Sequence, residues 1–252
     1  MDFDIAHLLA NWDYQPGQVV VRRFKGKDGL EKIQLRVDLG ILQMNAEGRP
    51  DGKRPYGRAS LFEHHQAKLY KYVAAHGGSD AGFVLKAEDC ARLQLEWLQY
   101  HHRYICLLQI EDHEGVIRDA ERNLEVLNFV AQHAEAEELV WPLKQFQPQL
   151  LMILTRARAT QALKVEDYGL AVEEGERGIE LIRTFYKESP QPEVAVHSAE
   201  ILSLEGWLDE IRDKRPLSKR EKLERALQDA VRSENYERAA EMRDALKNLK
   251  AE

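Results

Sequence analysis

The chain has 252 residues, 31% charged and 44% hydrophobic, with a formal net charge of −7. That length suits one large domain or two smaller ones with a tail, and the composition suits a soluble helical protein. No apolar run approaches the roughly 18 residues of a membrane span, and no basic-then-apolar leader follows Met1–Asp4, so the cytoplasm is the expected location. Two cysteines, Cys90 and Cys106, are too few and too far apart for a disulfide or zinc framework.

Charge is unevenly spread. Residues 19–58 hold ten Lys/Arg and five Asp/Glu, whereas residues 59–217 hold 17 and 27. The basic segment either meets an acidic partner or packs on the protein's own acidic helices, and the acidity of the whole chain favours the second.

Residues 4–12 predict a short helix with Leu8, Leu9 and Trp12 on its apolar side. Val19–Phe24 is β-branched and apolar, and Gly26-Lys27-Asp28-Gly29 is a turn signal. Ile33, Leu35, Val37 and Leu39 alternate with polar residues, the period of a half-buried strand. The expectation is a β-hairpin that packs on a helix or extends through a dimer, because a lone hairpin is marginal in water. Residues 45–58 (NAEGRPDGKRPYGR) read as a loop. Gly48 to Arg54 resembles a phosphate loop, but it has one residue too few between its glycines and Arg54 where Ser or Thr would hold magnesium. Arg49, Lys53, Arg54 and Arg58 are its candidate anion contacts, against the plainer reading of a solvated turn.

From Ser60 the pattern is helical, with helices expected at 60–76, 86–109, 113–134, 137–164, 168–187 and 193–213. Trp97, Tyr100, Tyr104 and Leu107 share a face, as do Val116, Ala120, Leu124 and Leu127, and Ile201, Leu204, Leu208 and Ile211. Pro142 and Pro148 interrupt the fourth helix, and Pro190 and Pro192 separate the last two. Asp112-His113-Glu114-Gly115 and Asp167-Tyr168-Gly169-Leu170 open two helices 55 residues apart with similar continuations. This pairing resembles the second helix of a tetratricopeptide (TPR) repeat, at a spacing longer than the usual one of about 34.

No catalytic constellation stands out. GxSxG, GxGxxG and HExxH are absent. His64-His65 and His101-His102 are neighbours whose side chains diverge by about 100° on a helix, so neither pair readily shares a metal. His101 lies on the Trp97–Tyr104 stripe and reads as a core histidine. Glu173-Glu174-Gly175-Glu176 reads as a solvated face. No metal, cofactor or enzymatic activity is expected.

The last segment is the most informative. Ser218 and Glu221 have the spacing of a capping box. Leu223, Leu227 and Val231, with Ala226 and Ala230, form one apolar stripe from Lys219 to Arg232. Ser233-Glu234-Asn235 breaks the helix, and a second carries Tyr236, Ala239, Ala240, Leu246 and Leu249. Residues 217–252 hold nine Lys/Arg and eight Asp/Glu, a weak electrostatic footprint for nucleic acid. Tyr236-Glu237-Arg238-Ala239-Ala240 followed by Arg243-Asp244 and Leu246 resembles the UVR motif, the helical hairpin shared by UvrB, UvrC and several bacterial regulators. The resemblance implies partner binding through Leu223, Leu227, Tyr236, Ala239, Ala240, Arg243 and Leu246. Tyr236 is expected to anchor the turn, the alanines to form a close seam, and Arg243 to pair with Glu224 or a partner carboxylate.

The expected fold is mainly α: a basic β-hairpin region (1–58), a TPR-like bundle (59–216) and a UVR-like hairpin (217–252). The leading reading is an adaptor for an unnamed protein partner, with homodimerisation through the terminal hairpin or the N-terminal strands as one route. Two others follow from the resemblance: a DNA-repair accessory touching nucleic acid through the basic N-terminal region, and a regulator of a stress kinase or protease. The second lacks the zinc-binding cysteine pairs such kinase activators carry.

Overall fold

A computed structural model describes residues 4–189, 192–216 and 219–248. The chain divides into two compact units, residues 1–208 and 209–252. The N-terminal strands and most of the helical body therefore lie in one unit, and the second unit begins within a helix rather than at residue 217.

After a short helix α1 (Ala6–Ala10), three strands form an antiparallel sheet in the order β1 (Val20–Lys25), β2 (Glu31–Val37), β3 (Gly40–Asn45). The expected hairpin is thus a three-stranded meander. Leu39 is not a strand residue: it sits in the two-residue turn between Val37 and Gly40, 89% exposed. The central strand is also buried on both faces. Ile33, paired with Met44, joins the main core. On the other face Gln34 accepts from Arg22 Nε (2.7 Å) and donates to Gln43 (2.7 Å). Arg36 Nε donates to the Trp12 carbonyl (3.1 Å), and the Trp12 and Tyr14 rings lie against Arg22 and Arg36. Residues 12–14 cover a face that the alternation assigned to solvent.

Helices α2 (Leu61–Ala75), α3 (Ala87–Gln109) and α4 (His113–His133) begin and end close to their expected limits. Ser60 caps α2, accepting from Glu63 N at 3.0 Å. The fourth expected helix is broken into a 3-10 turn (Glu137–Leu139), a short α5 (Trp141–Lys144) and α6 (Gln147–Lys164). Pro142 and Pro148 each fall in a first turn, where the missing N–H costs nothing. Helix α7 (Tyr168–Lys187) is followed by a 3-10 segment (Pro192–His197) and α8 (Ala199–Lys214). The interruption expected at Pro190 lies outside the described residues.

The core runs from the sheet through α3 and α4 to α6. Trp97, Tyr104, Leu107, Val116, Ala120 and Leu127 are buried, and Leu124 packs beside them. Trp97 and Asn123 exchange hydrogen bonds across α3 and α4: the indole donates to the Asn123 carbonyl (3.1 Å) and the Asn123 amide to the Trp97 carbonyl (3.0 Å). Helix α7 packs closely on α6 because Gly178 lies against Thr155, where a Cβ would overlap the threonine. Gly175 makes the same room for Leu208, so the Glu173–Glu176 stretch is not wholly a solvated face.

Three helix-to-helix connections have one geometry. Glu111, Glu166 and Glu234 all hold positive φ (58°, 59° and 56°). The next residue in each case, Asp112, Asp167 or Asn235, donates its N–H five residues back, to Leu107, Ala162 and Ala230 (2.9, 3.0 and 2.8 Å). Its side chain then caps the following helix, accepting from Gly115 N, Leu170 N or Arg238 N (3.0, 2.9 and 3.1 Å). Each is a Schellman-type stop joined to an N-cap. The last belongs to the second unit, between α9 (Lys219–Arg232) and α10 (Tyr236–Asn248).

Candidate interaction site

The Gly/Pro loop after β3 is fastened to α3 and α4 by buried charges. Arg103 and Asp119 form a two-pronged pair (2.6 and 2.8 Å), both side chains 1% exposed. The remaining Arg103 nitrogen donates to the carbonyls of Asn45 (2.9 Å) and Gly48 (2.7 Å). Arg118 grips Glu47 and donates to the Ala46 carbonyl. A phosphate loop turns its N–H groups inward. This loop turns carbonyls inward, onto guanidinium groups.

Glu96 is the second fastening. Its fully buried carboxylate accepts from the N–H groups of Leu61 (2.7 Å) and Phe62 (3.1 Å) at the start of α2. It also meets Arg49 Nε at 3.1 Å and Arg122. Arg49 is therefore held by carboxylates, with Asp51 at 3.3 Å, and is not an open anion contact. Lys53, Arg54 and Arg58 are exposed. Part of the basic segment thus does pack on the helical body, and Arg23 adds a pair with Asp112 at 2.9 Å.

Within each histidine pair the rings meet edge to face, at 5.3 Å for His64 and His65 and 5.9 Å for His101 and His102, and each ring has its own surroundings. His64 stacks on Tyr56, while His65 is buried with its Nε2 3.6 Å from Asp89. His101 stacks on Trp97 and its Nδ1 lies 2.6 Å from the Tyr104 hydroxyl. Burial first, and His102 second, push the His101 pKa down to about 4. Cys106 is buried without a disulfide partner, and burial pushes its thiol up to about 12.

In the second unit α9 and α10 pack against each other as a hairpin. Along α9 the less exposed residues are Leu223, Glu224, Ala226, Leu227 and Ala230. Along α10 they are Ala239, Ala240, Met242, Ala245 and Leu246, with Ala230 and Ala239 the most deeply buried. The structure thus places Leu223, Leu227, Ala239, Ala240 and Leu246 on the seam. It adds Met242, which the motif's residue order did not single out. It moves Val231 off the stripe, because Val231 lies about 100° around the helix from Ala230 and is 53% exposed. Tyr236 does not anchor the turn, since its ring is 70% exposed and the turn is held by Asn235 and the Ala230 carbonyl. Arg243 is exposed and nearest Asp244 (3.9 Å), while Glu224 pairs with Arg220 (2.7 Å). Ser218, the Glu221 side chain and Leu249 lie outside the described residues.

The three connections differ at two equivalent positions. Leu107, Ala162 and Ala230 are equivalent and buried, as are Val116, Ala171 and Ala239. Tyr236 is equivalent to His113 and Tyr168, and Val231 to Leu108 and Leu163. His113 is buried, with Lys164 Nζ 3.1 Å from its ring, and Tyr168, Leu108 and Leu163 are partly covered. Only in α9–α10 do both positions stand open.

The hairpin is therefore a packing unit of the same construction as those of the body, with two large apolar side chains uncovered at its tip. The UvrB/uvrC motif matches residues 218–252, so the chain carries that motif over its terminal hairpin, and the motif is known for protein and DNA interactions in repair proteins. No curated protein and no solved structure matches the chain. No helix among the described residues is long and apolar enough to cross a membrane.

Proposed function

We propose that the protein is a non-enzymatic adaptor whose terminal hairpin docks on a helical hairpin of another protein. The observation that carries this is the pair Val231 and Tyr236, open in α9–α10 where the equivalent residues of the body are buried or partly covered. At the α3–α4 connection the next hairpin supplies cover: α6 lies on α4, and Lys164 reaches His113. An equivalent neighbour for α9–α10 would be another helix pair, supplied by a partner. A hairpin this short buries too little surface to be strongly stable alone, which gives docking a thermodynamic incentive. We read the consecutive hairpins of the body as a TPR-like scaffold, and the cytoplasm as the site of action.

The test is photocrosslinking in cells from the full-length chain, with a benzophenone residue replacing Val231 or Tyr236 in turn. The expected result is a protein adduct mapped to a helical segment of one partner, lost when Ala239→Asp disturbs the seam. A second copy of the chain as the only adduct would make the hairpin a dimerisation device. No adduct at either position would end the adaptor reading.

A further inference from the structure

Between Arg54 and Arg58 the chain does something costly. Tyr56 sits at φ 52° and ψ 28° inside the 3-10 turn Pro55–Gly57. A left-handed non-glycine residue costs on the order of 1 kcal/mol. The turn nonetheless presents its aromatic ring outward. Tyr56 stacks one face on His64, with centroids 4.0 Å apart and planes at 19°, and its hydroxyl accepts from Arg92 at 3.1 Å. The ring is still 63% exposed.

Cations surround this platform. Arg54 and Arg58 flank it in sequence. Burial first, and then Lys68, Arg58 and Lys71, disfavour the charged form of His64, against an opposing pull from Asp89. His64, Lys68 and Lys71 follow helical spacing along one face of α2, a stripe of about 10 Å. Among the described residues no carboxylate pairs with Arg54, Arg58, Lys68 or Lys71. The nearby acids are engaged elsewhere: Glu63 accepts from Ala59 N (2.9 Å), Asp89 faces His65, and Glu88 lies 3.7 Å from Arg92.

We propose that Tyr56, with Arg54, Arg58, Lys68 and Lys71, binds a short stretch of single-stranded nucleic acid. One base stacks on the open face of Tyr56, and the guanidinium and ammonium groups take the adjoining phosphates. Stacking platforms beside unpaired cations are how sequence-tolerant single-strand binding works. An acidic peptide would use the cations but leave the outward ring without a partner. The excess of acid on the helices at 59–217 confines the contact to this stripe. These residues belong to the first unit and the terminal hairpin to the second, and neither proposal depends on the other.

The experiment is fluorescence anisotropy of a labelled oligothymidylate of about fifteen nucleotides with the full-length chain, starting at about 50 mM salt. Four phosphate contacts predict a slope of about −3 for log affinity against log salt, and Arg54→Gln with Arg58→Gln should flatten it by about 1.4. Tyr56→Ala should weaken binding on the order of tenfold, and Tyr56→Phe should retain it. Both variants lose the hydroxyl contact with Arg92, and alanine also loses the stack on His64 while keeping the backbone strain, so equal melting temperatures of the two variants must accompany the comparison, and Tyr56→Gly serves where alanine unfolds the chain. Absence of binding at the lowest salt overturns the proposal. So does equal affinity of the alanine and phenylalanine variants, or competition by polyglutamate as strong, charge for charge, as by the oligonucleotide.

Discussion

Glu96 shows how much one side chain can organise. It closes the start of α2, neutralises Arg122 and holds Arg49 of the loop, all from a fully buried position. Breaking a buried pair from one side leaves charge stranded. Glu96→Ala should therefore cost about 3–5 kcal/mol, read as a lowered urea midpoint. Little or no change would mean that Arg49 and Arg122 reach water in the native state. His101 makes a prediction about acid. Its folded pKa near 4 lies below the 6.5 of an unfolded histidine. Above pH 6.5 neither state binds the proton and stability is flat. As pH falls from 6.5 to 4 the unfolded chain takes up a proton that the folded one refuses, and stability drops by about 3 kcal/mol at most, levelling below 4. His65 and His102 are depressed by burial in the same direction. The check is the slope of unfolding free energy against pH over that window, which should be shallower in His101→Phe than in the parent.

Among the elements, the repeated connection is the most instructive. It stops a helix, reverses the chain and starts the next within three residues, at the expense of a glutamate in the left-handed region. Glycine is free of that expense. Glu166→Gly should raise stability by about 0.5–1 kcal/mol, against the usual loss when glycine enters a helix, and a lowered thermal midpoint would show the strain to be absent. The likeness of Asp112 and Asp167 was legible from the amino acids alone, because both are followed by an aromatic ring and a small or acidic residue. The third copy was not, because Asn235 replaces the aspartate that opens the other two, although Tyr236 and Glu237 continue in the same way. Helix limits were legible wherever a cap or proline marks them. Strand β3 was hidden because Gly40–Asn45 carries no alternation of polar and apolar residues. The second covered face of β2 was hidden because its cover comes from Trp12 and Tyr14, which no local period connects to Gln34 and Arg36.

At the level of the whole molecule, the hairpin's apolar seam was readable because alanines and leucines recur at helical spacing. Which residues face away was not, since one step around the helix separates Ala230, buried, from Val231, open. This gives a direct test of the seam. Ala239→Asp would place a charge at a position only 8% exposed. It should cost at least about 1 kcal/mol, seen as loss of helical signal in the melting of α9 and α10, whereas Val231→Asp should leave that signal intact. Equal effects would mean that the two side chains are not distinguished by packing. The loop from Asn45 to Arg58 taught the opposite lesson from its glycines, which suggest phosphate. Its carbonyls turn inward, and no sequence pattern states which way a peptide plane will face.

The clasp between Arg103 and the carbonyls of Asn45 and Gly48 also bears on the order of events in time. It joins groups 58 and 55 positions apart, whereas each helix pair closes over a three-residue connection. Nearby segments meet sooner than remote ones during refolding. We therefore expect α3–α4 and α6–α7 to gain protection from deuterium labelling early, and the three strands to gain it late, once the arginine finds its carbonyls. Pulse-labelling in which the strands are protected first would reverse that sequence.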